Sequence, residues 1–203
     1  MQTRYSTGSL ETMLNSMIDS HIRCMQGLKP LAPTIEKTGA LLLNGLLRGG
    51  KLLICGNGGS AGDAQHFAAE IIGRFEKERQ AYPAVALSTD TSILTAVSND
   101  YGYREVFARQ VDGLGRPGDI LMGISTSGHS PNVQRAVERA RAIGMKTVGL
   151  LGKDGGELRE EVDQAIVVDS PVTARIQEAH IFILHYWAWQ IENGLLARTL
   201  EQQ

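Results

Sequence analysis

The sequence predicts an α/β fold, in which a five-stranded parallel sheet is flanked by helices as a three-layer sandwich and preceded by N-terminal helices. Five short apolar runs alternate with helix-like segments after Gly50, which is typical of a parallel sheet covered on both faces. Small polar residues follow most of these runs, where an open parallel sheet has its ligand crevice. The 203 residues, 42% of them hydrophobic, fit one domain spanning residues 1–203.

The elements follow from spacing and stop signals. Residues 1–50 are predicted to be a helical segment, with apolar residues at helical spacing over 10–25 and 35–47 and a stop at Gly49-Gly50. Residues 51–203 are predicted to be an α/β core that ends in a long helix. The predicted strands are 51–55, 84–87, 119–124, 147–151 and 165–168. The predicted helices of the core are 64–74, 91–98, 104–113, 131–143, 157–162 and 174–200.

Composition excludes several classes of protein. The 20 Lys and Arg residues nearly balance 22 Asp and Glu, and a non-specific nucleic-acid binder would show a basic excess. Cys24 and Cys55 are too few for a disulfide framework. The polar start differs from a signal peptide, and no run reaches the roughly 18 apolar residues of a membrane span. We expect a cytoplasmic protein without nucleic-acid or membrane partners.

The first predicted loop, residues 56–60, allows more than one interpretation. Its spacing, Gly56-x-Gly58-x-x-Ala61 after a strand, is that of a dinucleotide fingerprint. Such a site expects an acidic residue about 20 residues further on, whereas Asp90 comes later in the chain. The loop could also be a tight strand-to-helix turn that binds nothing.

The loop after the third predicted strand, residues 125–130, indicates a ligand site more strongly. Ser125, Thr126, Ser127 and Ser130 place four hydroxyls just before a helix that opens near Pro131. Hydroxyls and free backbone N–H groups at a helix N-terminus bind phosphate. N-capping by Ser130 is the simpler alternative, but it explains one serine and not four. The loop therefore predicts a phosphate site.

Two kinds of histidine occur on the predicted helices. His66 and Glu70 are four residues apart on the helix that leaves the first loop, so both face the crevice side. A surface hydrogen-bonded pair is the alternative. We expect His180, on the apolar last helix, to be a core residue, and His21 to be a packed or partner-contacting residue.

Together these motifs resemble the phosphoheptose (sedoheptulose 7-phosphate) isomerases of the sugar-isomerase (SIS) domain family. The resemblance covers nearly the whole chain, and its matching stretches are 56–60, 63–70, 98–102, 123–130 and 175–178, with His185 following. It implies a flavodoxin-like SIS domain and a homotetramer with active sites at subunit contacts. It also implies interconversion of sedoheptulose 7-phosphate and glycero-manno-heptose 7-phosphate through an enediol, for surface-carbohydrate biosynthesis.

The resemblance implies roles for individual residues. The implied substrate contacts are Asn57, Gly58, Gly59, Ser60, Glu70, Asn99, Asp100, Ser125, Thr126, Ser127, Ser130 and Gln177. One zinc ion per subunit is implied at His66, Glu70, Gln177 and His185. Glu70 and His185 match the catalytic base and acid. Ala174 departs from the acid that some members carry three residues before Gln177.

The chemistry is consistent with these roles, with one difficulty. A carboxylate can move a proton from C1 to C2, an imidazole can protonate an oxygen, and a metal can stabilise the developing charge. However, Gln177 and His185 are eight residues apart, roughly 12 Å along a helix. An amide oxygen is also a weak ligand for zinc. A shared metal must lie between them, or the site must combine different chains.

Two other functions remain possible from the sequence. A paralogue in this family is a non-catalytic adaptor that binds the replication initiator DnaA, and it shares the motifs at 64–69 and 175–178. It lacks the acid at Glu70 and the histidine at His185, and both are present here. A sugar-phosphate-sensing module is the third possibility, although no DNA-binding or second domain is attached.

Overall fold

The computed structural model describes residues 7–201, with side chains described for 9–198. Two helices precede the sheet, α1 (Thr7–Gln26) and α2 (Ala32–Leu47), joined through a 3-10 turn at Lys29–Leu31. The strands are β1 (Leu52–Gly56), β2 (Ala84–Ala86), β3 (Ile120–Ser125), β4 (Lys146–Gly152) and β5 (Gln164–Val168). The remaining helices are α3 (Gly59–Ile72), α4 (Thr91–Tyr101), α5 (Ala108–Leu114), α6 (Pro131–Ala142), α7 (Leu158–Glu161) and α8 (Thr173–Glu201).

All five strands are parallel, in the order β2-β1-β3-β4-β5, which confirms the predicted sheet. Leu52 and Ile54 of β1 face a core cluster that includes residues of α2, α3 and α8. Leu53 and Cys55 face the opposite cluster, which includes residues of α5 and α6. Both faces of the sheet are buried, and for this reason the strands read as nearly continuous apolar runs. The three-layer arrangement is confirmed.

The predicted helices differ from the structure in three places. Helix α3 starts at Gly59 rather than at residue 64, because the chain enters it directly after the turn at Gly58. The predicted helix over 104–113 is two pieces, a 3-10 turn at Tyr103–Glu105 and α5. The intervening Val106 and Phe107 are buried in the core. The predicted helix over 157–162 is the single turn α7.

Helix α8 is held firmly against the body of the domain. The Trp187 side chain is fully buried, and its Nε1 donates a hydrogen bond of 2.8 Å to the carbonyl oxygen of Ile35. A Cβ on Gly39 would lie 1.9 Å from Oε1 of Gln190, so α2 approaches α8 closely. This packing fixes the face of α8 that carries the predicted site residues.

Helices α3 and α8 lie side by side and run in the same direction. Gly59 lies against Gln177, His66 contacts His185, and Phe75, just beyond α3, contacts Glu192. Because contacts advance together along both helices, the seam between α3 and α8 is a continuous surface that starts at the carboxyl edge of the sheet. It carries most of the candidate site.

Helix α1 leaves an apolar stripe uncovered. The side chains of the stripe are 45–58% exposed: Leu10, Met13, Leu14, Met17, Ile18 and Ile22. None of the helices in residues 7–201 combines the length and the apolar character that crossing a membrane requires.

Candidate active site

The serine loop, residues 125–130, forms a cluster of hydroxyl groups at the start of α6. Ser125 Oγ lies 2.8 Å from Ser130 Oγ and 3.5 Å from Ser127 Oγ, and it accepts the backbone N–H of Gly128 at 3.1 Å. Ser130 is the N-cap residue of α6, yet its side chain makes no capping bond. Simple capping therefore does not explain Ser130. Thr126, between these serines, is partly buried.

The serine loop rests on the loop that follows β4. Gly128 has φ +71°, and a Cβ there would lie 2.0 Å from the carbonyl oxygen of Gly155. Gly156, with φ +53°, meets Gly128 from the other side. Only residues without a side chain fit this backbone contact, so the shape of the hydroxyl cluster depends on Gly128.

An amide pair joins the first loop to the first turn of α6. Asn57 Nδ2 donates to Asn132 Oδ1 at 2.9 Å, and Asn132 Nδ2 donates to Asn57 Oδ1 at 2.8 Å. The hydroxyl of Tyr103 donates to the same Asn57 oxygen at 2.9 Å. Asn132 and Tyr103 were not among the predicted site residues. A polar residue one position after Pro131, in the first turn of the predicted helix, was the available signal for Asn132.

At the start of α3, Gly58 faces open space, whereas Gly59 packs against α8. A Cβ on Gly58, at φ +55°, would have no atom within 4 Å, whereas one on Gly59 would lie 2.1 Å from Nε2 of Gln177. Ser60 is buried, and the N-cap Gly58 supplies no side-chain cap. In the first turn of α3, the backbone N–H groups of Ser60 and Ala61 donate to the carbonyl oxygens of Asn57 and Gly58, each at 3.0 Å.

Two turns along the seam, three predicted residues come together. The Nε2 atoms of His66 and His185 are 2.8 Å apart, and His66 Nε2 lies 3.3 Å from Oε1 of Glu70. The Glu70 side chain is only 20% exposed. The ring of Phe75 lies 5.7 Å from that of His185. A carboxylate and two imidazoles in one cluster are suited to proton transfer.

Gln177 lies apart from this cluster. Its amide packs against Gly59, and His66 is seven residues further along α3, roughly 10 Å away. The structure thus unites three of the four predicted metal ligands and places the fourth nearer the carboxyl edge. Within residues 7–201, no three His, Cys, Asp or Glu side chains are arranged as metal ligands.

Asp63 is a further titratable group on the seam that was not predicted. It lies on α3 three residues before His66, and its Oδ2 is buried without a hydrogen-bond partner. Burial raises the pKa of Asp63 to about 6, although the neighbouring His66 lowers it in part. A buried unpartnered carboxylate is unfavourable for stability, and this is typical of functional sites.

The other predicted residues lie elsewhere. Asn99 and Asp100 are exposed at the end of α4, where the Asn99 amide donates to the Asp100 carboxylate at 2.8 Å. Asp90 caps α4 by accepting the N–H of Ile93 at 2.9 Å, so its carboxylate is already engaged and the dinucleotide interpretation gains no support.

Two histidines outside the cluster, His180 and His21, have structural partners. His180 is fully buried, its Nε2 lies 3.0 Å from the carbonyl oxygen of Leu151, and burial lowers its pKa to about 4. The prediction that His180 is a core residue is confirmed. His21 of α1 contacts Glu178 at 2.7 Å and is half-exposed.

Comparison with known proteins identifies the family to which the chain belongs. The SIS domain profile matches residues 18–152. A phosphoheptose isomerase of Geotalea uraniireducens (strain Rf4) is 53% identical over 183 residues, which is 90% of this chain and 97% of that protein. The chain belongs to the phosphoheptose isomerase family of SIS-domain proteins.

Solved structures of the family agree with this. The phosphoheptose isomerase GmhA of Neisseria gonorrhoeae superposes with a TM-score of 0.86 at 45% identity, covering 91% of this chain and 99% of that one. A phosphoheptose isomerase of Francisella tularensis gives a TM-score of 0.87 at 40% identity, covering 91% and 98%. The likeness in fold therefore extends over about nine-tenths of the chain.

Proposed function

We propose that the protein is an aldose–ketose isomerase that interconverts sedoheptulose 7-phosphate and glycero-manno-heptose 7-phosphate. The observation that carries this is the cluster of Glu70, His66 and His185 on the α3–α8 seam, which starts at the carboxyl edge of the sheet. The similarity to phosphoheptose isomerases supports the same substrate. The direct test is to incubate the pure protein with sedoheptulose 7-phosphate and follow aldose formation by NMR.

The phosphate is held far from the reacting carbons. The hydroxyls of Ser125, Thr126, Ser127 and Ser130 bind it together with the N-terminus of α6. A heptose 7-phosphate carries its phosphate at the opposite end of the chain from C1 and C2. His66 and Glu70 are about two and three helical turns from the start of α3. Binding energy at the phosphate is thus used to orient C1 and C2.

Proton transfer follows from the chemistry of the cluster. Glu70 removes a proton from C1 of the ketose, which gives an enediol, and returns it to C2 to give the aldose. His185 moves the accompanying proton between the two oxygens. His66, 3.3 Å from the carboxylate, orients Glu70. Asn57, Gly58, Gly59, Ser60 and Gln177 contact the sugar from the start of α3.

Zinc fits the donor types of this cluster. Two imidazole nitrogens and a carboxylate are ligands that zinc prefers, so His66, Glu70 and His185 would hold it, with Gln177 as a weaker fourth. In the structure the two imidazoles are hydrogen-bonded to each other through Nε2 at 2.8 Å, and they would have to give up this bond to hold the ion. A small separation of the rings is therefore needed. When bound, the ion would stabilise negative charge on the sugar oxygens.

A homotetramer explains the uncovered surfaces. The apolar stripe of α1 adjoins a cavity of about 570 Å³ whose lining includes Met25, Ile35 and Phe182. None of the residues of α4 is buried. Packing against other copies would cover both regions, and it would bring Asn99 and Asp100 to a neighbouring site. We place the enzyme in the cytoplasm, supplying heptose for lipopolysaccharide and related surface carbohydrates.

A further inference from the structure

Glu192 is a fully buried carboxylate that the proposed chemistry does not use. It lies on α8 seven residues after His185, which puts both on the same side of the helix. Its oxygens accept the backbone N–H groups of Phe75 at 2.9 Å, Glu76 at 2.9 Å and Lys77 at 2.8 Å. Burial would raise the pKa of Glu192, but these three bonds and the charge of Arg79 together hold it below its usual value.

Arg79 is the buried counterpart of Glu192. Its Nε is 3.6 Å from Oε1 of Glu192, and only 3% of its side chain is exposed. The guanidinium donates to the carbonyl oxygens of Glu70 at 2.6 Å, Ile71 at 2.9 Å and Gln80 at 2.9 Å. Two of these are carbonyls of the last turn of α3, which have no partner within the helix. The Arg79 side chain therefore caps the C-terminal end of α3.

Both members of this ion pair are connected to the proton-transfer cluster, Glu192 through Phe75 and Arg79 by a direct hydrogen bond. Glu192 fixes the backbone of Phe75, whose ring lies 5.7 Å from the ring of His185 at an interplanar angle of 32°. Arg79 binds the carbonyl of Glu70 itself. The connection over residues 73–83 contains no helix or strand, so the placement of Phe75 depends on these bonds.

We propose that Glu192 and Arg79 are positioning residues, which hold the segment after α3 so that Phe75 orients the His185 ring while Glu70 is fixed at its backbone. This rests on the proposed function only for the roles of Glu70 and His185. The pair acts through Phe75 and the last turn of α3, and it touches no substrate.

The test uses two variants and one matched control on the full-length protein. Glu192→Gln removes the charge, and Phe75→Leu removes the ring while keeping the backbone N–H that Glu192 accepts. Lys77→Ala is the control, since Lys77 lies on the same segment and its Nζ bonds only Asn193, at 2.8 Å. We expect kcat per folded protein to fall tenfold or more in both variants, with KM within threefold and the control within twofold.

A second readout does not depend on activity. The chain has five histidines, so histidine labelled with carbon-13 at Cε1 gives five signals, and His185→Asn identifies the relevant one. In Glu192→Gln the His185 signal should shift, because the Phe75 ring moves, while it should stay in place in Lys77→Ala. An unmoved signal overturns the positioning role. So does an unchanged kcat in folded Phe75→Leu when Glu192→Gln does not fold.

The two proposals fail in different ways. If the parent protein does not convert sedoheptulose 7-phosphate, the proposed function is wrong, and the shift of the His185 signal still decides whether Glu192 positions that ring. If the parent is active but both variants keep their kcat, the isomerase assignment stands and the positioning role does not.

Discussion

His66 and His185 meet through their Nε2 atoms at 2.8 Å, although they are 119 positions apart in the chain. The contact exists because α8, which follows the last strand of the sheet, packs alongside α3. A hydrogen bond between two imidazoles requires one nitrogen with a proton and one without, so at least one ring is neutral in this arrangement. A neutral imidazole is also the form that binds a metal.

The zinc content of the protein should depend more on His66 than on Gln177. We expect protein purified without chelator to contain zinc by elemental analysis, and His66→Ala to lose most of it. Gln177→Ala should lose less, because Gln177 lies against Gly59 and away from the two histidines. Equal metal content in His66→Ala and the parent would remove His66 from the ligand set.

Gly128→Ala should lower stability and weaken phosphate binding. A methyl group there would lie 2.0 Å from the Gly155 carbonyl oxygen at a φ of +71°, so the loop must move. The free energy of unfolding should fall by at least about 2 kcal/mol, measured by urea unfolding. Gly113→Ala is the control: nothing lies within 4 Å of the added Cβ, and its helical site predicts no loss.

The oligomeric state should be visible in solution. Light scattering at micromolar concentration should give about four times the 22.0 kDa chain mass. Replacing Met13 and Met17 of the exposed α1 stripe with Lys should shift the protein toward smaller species. A monomeric parent would contradict the tetramer and the sharing of sites between subunits.

The fold could be predicted because its signals are local. Apolar runs such as Leu52–Gly56 mark the strands, and the serine loop lies directly before the start of a helix. Both features can be recognised from neighbouring residues in the chain. The pairing of His66 with Glu70 is also local, since it follows from their i,i+4 spacing. The position of His185 beside them came from the family resemblance and not from any pattern along α8.

What could not be predicted depends on packing between distant elements. Asn132 meets Asn57, and Glu192 meets Phe75, only because of how helices lie on the finished sheet. Neither Asn132 nor Glu192 has a neighbour in the chain that indicates its partner. The same holds for Gln177, whose distance from His66 is set by the register between α3 and α8.

Asp63→Asn should stabilise the protein in a pH-dependent way. The pKa of Asp63 rises from an ordinary 3.8 to about 6 on folding, so the native state holds the proton more tightly than the unfolded state. The parent therefore loses stability as pH rises from about 4 to about 6, and the loss is complete above that range. The gain in Tm of Asp63→Asn over the parent should be larger at pH 7.5 than at pH 4.5, in metal-free protein. A gain independent of pH would contradict the buried-charge explanation.

We propose that Glu70 and His185 transfer the protons of the isomerisation, and one substitution at each position tests this role. Glu70→Gln keeps size and hydrogen bonding but removes the base, and His185→Asn removes a group that exchanges protons near neutral pH. Turnover of sedoheptulose 7-phosphate and Tm should be measured on the same samples of both variants. We expect turnover to be lower by about 10²–10⁴ in protein that remains folded. Turnover within about threefold of the parent in both folded variants would contradict it.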